Sequence, residues 1–155
     1  MRHALSPADL EFRAAFEACR VAPAAFDHRA HLRLAYVYLT EHAPEVAAAR
    51  MRASLLAFLD GQGIDRAKYH ATLTHAWLLA VRHFMRRSPP VPSADAFIEA
   101  NPRLLDRKLL LVHYTAERLL SAEARSQYLA PDVAPFPETQ QQVPPPSPLR
   151  GSGSG

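Results

Sequence analysis

The sequence predicts an all-α fold: a compact bundle of about four main helices followed by shorter C-terminal ones. Three observations carry this. Helix start signals follow one another along the chain, no run of alternating apolar and polar residues marks a strand, and a 155-residue chain with 48% hydrophobic residues can close a real core in one domain.

Each element has its own signal. Ser6 followed by Pro7 reads as an N-cap and a first-turn proline, and Leu10, Phe12, Phe16 and Cys19 give that helix an apolar face to about residue 20. Asp27 is placed to cap a second helix that runs to about residue 42. Pro44 opens a third, with Val46, Met51, Leu55, Phe58 and Leu59 as its stripe and Gly61 and Gly63 at its end. A fourth is expected over about 67–87, carrying Leu73, Trp77, Val81 and Phe84 and stopped by Pro89-Pro90. Short helices over 93–100, 104–114 and 121–129 complete the set.

Residues 1–137 therefore form a single helical domain, and 138–155 a flexible tail. Seven of the fourteen prolines fall from Pro131 onward, and Thr139 to Gln142, Pro144 to Pro146 and the closing Gly/Ser run lack the apolar content to fold alone. An extended polyproline segment there offers a docking point for a protein partner.

Composition narrows the chemistry. One cysteine, Cys19, allows neither an internal disulfide nor a thiolate zinc cage, and with no apolar leader the expected location is the cytoplasm. No stretch reaches the roughly 18 apolar residues of a membrane span, so no membrane partner is expected. The formal charge of +3 comes from arginines scattered among acids, without the concentrated basic stripe of a nucleic-acid surface. There is no glycine-rich phosphate loop and no G-x-S-x-G turn, so histidine carries what chemistry the sequence offers.

His28 and His31 lie three apart, within one turn on one face of the second helix, and share the inward stripe of Ala35 and Tyr38. On the fourth helix His70 falls one step around from Leu73 and Trp77, with Thr74 one turn above. His75, rotated by about 140° at roughly 100° per residue, is expected outside. If the two helices pack face to face, His28, His31 and His70 form a three-nitrogen tripod with an open position. That arrangement suits a Cu, Fe or Zn ion activating dioxygen, water or a small substrate.

Asp106, Thr74 and His113 are candidates for the shell around that ion or for a fourth ligand. Tyr69 and Tyr114, each beside a histidine, are candidate proton donors. His42 lies about 21 Å along the axis from His28, too far for a shared ion, and His3 and His83 read as surface residues. The competing reading is a non-catalytic module that binds a small molecule or a partner helix, with structural histidines bonded to carbonyls or tyrosines.

The combination F-x-H-x-x-H-L-x-x-A-Y-x-Y-L from Phe26, K-Y-H-x-T-L-T-x-A-W from Lys68, N-P-x-L-L-D from Asn101, and the late L-x-S-x-x-A-R with Pro131-Asp132 resembles a family of small, largely uncharacterised bacterial proteins. The resemblance extends over most of the chain to about Pro137. It implies that His28, His31, Tyr69, His70, Thr72 and Thr74 are the recurring polar marks, and His75 is not. Such relatives commonly carry Glu directly after the Y-H histidine, where this chain has Ala71, so the resemblance implies an all-nitrogen site here.

Overall fold

The computed structural model describes residues 2–137, and among them the chain is helical throughout, with no strand. The tail over 138–155, with its proposed partner segment, lies outside the described residues. Helices α1 (Pro7–Glu17), α2 (His28–Glu41) and α3 (Pro44–Gly61) begin at the expected caps. Ser6 and Asp9 form a reciprocal capping box on α1, the Asp27 carboxylate accepts the Ala30 N–H at the start of α2, and Pro44 occupies the first turn of α3.

Helix α2 is the hub, packing against α1, α3, α4 (Ala71–Arg87) and α5 (Ala94–Ala100). Its five consecutive residues Leu34, Ala35, Tyr36, Val37 and Tyr38 are all buried, because neighbours cover every side of that turn. The two phenols donate at their tips, Tyr36 to the carbonyl of Ala4 and Tyr38 to the carboxylate of Glu17, so burying them leaves no unpaired hydroxyl. Phe16, Phe26 and Phe58 stack where α1, α2 and α3 meet, with Phe16 centroids 4.6 and 4.7 Å from the other two rings.

A single buried carboxylate ties three elements together. Asp9, 1% exposed, accepts the Ser6 N–H, the Ala94 N–H at the start of α5, and the Arg33 guanidinium of α2. Burial alone would push its pKa up. The two backbone donors and Arg33 outweigh that and hold it below the usual carboxylate value.

At the turn after α1, Cys19 has φ 59, and its thiol donates to the Ala57 carbonyl of α3. A Cβ added at Gly61 would stand 2.5 Å from the Cys19 Sγ, so glycine is required there for close approach.

Several boundaries differ from the sequence expectation. The fourth helix begins at Ala71, after a 3₁₀ turn over Arg66–Lys68, and His70 is its N-cap instead of a residue on its face. In place of one helix over 104–114 there are two 3₁₀ segments, Pro102–Leu105 and Arg107–Val112. They are divided at Asp106, whose carboxylate accepts the Lys108 N–H and restarts the chain. Thr115 caps the unanticipated α6 (Ala116–Leu119), and α7 (Ala122–Ser126), capped by Ser121, ends three residues early.

Three histidines expected at the surface are partly buried. The Nε2–H of His3 donates to the Met85 carbonyl, and its ring meets Tyr36 and Phe97 edge-on. His75 is half-buried against Tyr128, with ring centroids 4.3 Å apart, and His83 is half-buried beside Phe84.

Candidate functional site

A cavity of about 540 Å³ opens where α2 and α4 begin. The first turn of α2 brings His28 and His31 to it, α3 contributes Leu55 and Phe58, and the start of α4 contributes Tyr69, His70, Thr74 and Trp77. The three histidines singled out by spacing, together with Tyr69 and Thr74, therefore share one wall.

The three imidazoles are engaged differently. His28 donates its Nε2–H to the Leu104 carbonyl at 2.9 Å, and its ring lies edge-on to Trp77 at 4.5 Å. His70 uses both nitrogens: Nδ1 accepts the Leu73 N–H at 3.1 Å as the cap of α4, and Nε2–H donates to the Leu119 carbonyl at 3.1 Å. His31 stacks on Phe26 at 5.9 Å, and its Nε2 is buried with no hydrogen-bond partner among the described residues.

No family model, curated protein or solved structure matches this chain. The functional reading therefore rests on the cavity and its motifs.

All three rings are neutral at pH 7. Burial pushes His31 down to about 4, and the neighbouring His28 ring, which competes for the same proton, adds to the effect. Burial also lowers His28, assisted by Arg107 and opposed by the Leu104 bond and Asp27. It lowers His70 as well, assisted by Arg125 and opposed by the Leu119 bond. Burial raises the Tyr69 phenol, with Arg52 and a hydrogen bond to Thr74 pulling the other way, so the hydroxyl stays protonated.

The remaining expected site residues lie elsewhere. His113 donates its Nδ1–H to the Ala134 carbonyl at 2.8 Å and stacks on Phe136 at 4.0 Å. Tyr114 is fully buried and donates to the Leu129 carbonyl at 2.8 Å, which takes it away from the cavity as a proton donor. Asp106 caps its 3₁₀ segment and is exposed. None of the three lines the cavity. Sequence reasoning missed Arg107 and Lys68 at the rim; Lys68 had a signal, its place in the K-Y-H motif, whereas Arg107 had none.

The donor set bears on the expected metal. Among the described residues no three of His, Cys, Asp and Glu stand together in a way that could hold an ion. The physical reason lies at His70, whose only lone pair already caps a helix, leaving His28 and His31 without a third nitrogen. Replacing His70 by Ala is expected to lower stability by about 1–2 kcal/mol, and Asn, a stronger capping residue, to restore about half of it. Urea midpoints of the two variants check this; an Ala variant as stable as the parent would contradict the capping role.

The wall is otherwise apolar and lacks an acid–base pair. Asp27, its only carboxylate, is engaged at the N-cap, and the imidazole with an unpartnered nitrogen is a weak base. Such a site suits holding a molecule better than moving a proton.

Proposed function

We propose that this protein is a binding module for a small, largely apolar molecule held in the cavity where α2 and α4 begin. The observation that carries this reading is the cavity itself: about 540 Å³, large enough for a ligand, with Phe26, Leu55, Phe58, Leu73 and Trp77 in its wall. A Cu, Fe or Zn ion on His28, His31 and His70 is the weaker reading. It requires His70 to release the N–H of Leu73, whereas binding an organic molecule breaks nothing.

Trp77, the chain's one tryptophan, lies in the wall and reports on occupancy. Titration with 1-octanol is expected to change its fluorescence saturably. A parent protein that shows no saturable response would overturn the proposal. So would near-stoichiometric copper, iron or zinc in the purified protein that His70→Ala removes.

A further inference from the structure

The cavity's interior and its mouth differ in charge. Inside stand neutral imidazoles and apolar side chains, with Phe58 and Trp77 almost wholly buried. At the rim stand two exposed cations carried by separate segments: Lys68, ending the 3₁₀ turn before α4, and Arg107, opening the segment after Asp106. Neither forms an ion pair or a side-chain hydrogen bond among the described residues, whereas Arg29, Arg33 and Arg66 elsewhere on the surface all do. The field of Arg107 reaches into the site, where it acts on His28.

The one acidic residue in the wall, Asp27, is exposed, accepts the Ala30 N–H with Oδ1 and also acts on His28, so the mouth carries two cations against one carboxylate. Two long helices also start here, and the partial positive charge of each N-terminus adds to that of the rim. A charged group taken deep into the apolar interior would lose its hydration without a partner, so any charge on a ligand belongs at the mouth, where only an anion is favoured.

We infer that the ligand is an amphipathic carboxylate, with its apolar body against Phe26, Phe58 and Trp77 and its head group at the mouth between Lys68 and Arg107. This rests on the reading of the cavity as a small-molecule site and adds the chemical class. The two rim cations are exposed and each contributes weakly, so they select among ligands while the apolar body supplies most of the affinity.

Three chains of equal length separate the two claims. With the full-length protein at low salt, Trp77 fluorescence is titrated with octanoate, 1-octanol and octylamine. Octanoate is expected to bind about five- to tenfold more tightly than octanol, octylamine more weakly than either, and the octanoate advantage to shrink at high salt. In Lys68→Gln/Arg107→Gln, two exposed changes that leave the core untouched, the ratio of octanoate to octanol affinity is expected to fall to about one. Octanol binding as well as or better than octanoate would overturn the carboxylate assignment and leave the cavity reading standing. An octanoate preference that survives in the double variant would overturn the role of the rim cations, and with it the placement of the head group. Failure of all three to bind would end both.

Discussion

Replacing Asp9 with alanine is expected to cost the fold about 3–5 kcal/mol, read as a fall in the urea midpoint without change in the slope. The carboxylate is 1% exposed and accepts three donors from three parts of the chain: the N–H of Ser6, the N–H of Ala94 and the guanidinium of Arg33. Its removal leaves the Ala94 N–H buried and unpaired, takes half of the capping box from α1 and strands a half-buried cation, and each loss acts on a different helix. Because the native pKa is held below its ordinary value, the part of this contribution that depends on ionisation is complete at neutral pH and is lost as the pH falls below about 4. A loss under about 1 kcal/mol at pH 7 would show that the three helices are held by their apolar contacts alone.

The second large effect is a pH dependence centred on His31. Its native pKa is pushed to about 4, against about 6.5 in the unfolded chain, so between those values the unfolded state binds the extra proton. Stability therefore rises with pH across that window and falls on acidification, by roughly 3 kcal/mol in total and by about 2 kcal/mol between pH 7 and pH 5. His31→Phe, which keeps a ring against Phe26, is expected to remove that share of the slope. His28, His70 and His75, also lowered by burial, act in the same direction. A parent and variant with identical midpoint shifts between pH 7 and pH 5 would mean that His31 is not held neutral by its surroundings.

The ends of the elements were legible wherever the capping chemistry is common. Ser6, Asp27, Ser93 and Ser121 each accept a backbone N–H two or three residues into a helix, and that role is written in residue type. His70 performs the same task with a ring nitrogen, which residue type does not advertise, and so α4 was expected to begin too early. The leucine-rich stretch over 104–111 reads as helical by apolar content. Asp106, a residue type that also stops and restarts a helix, divides it: its carboxylate accepts the Lys108 N–H, and the stretch breaks into two tighter segments.

For the site, H-x-x-H spacing and the inward stripe of α2 correctly brought His28 and His31 to one wall, because helical periodicity decides that locally. What His70, His113 and Tyr114 bond to could not be read in the same way. Their partners are the carbonyls of Leu119, Ala134 and Leu129, which reach them only through the path of the C-terminal segment.

The unbroken burial of Leu34 through Tyr38 has a consequence for recognition. A helix enclosed on every side cannot roll about its own axis, so the angle at which its first turn presents two imidazoles is settled before any visitor arrives. On the proposed reading of the chamber as a binding site, the wall that α2 supplies would need little rearrangement on admission, and shape and the placement of charge would discriminate between guests.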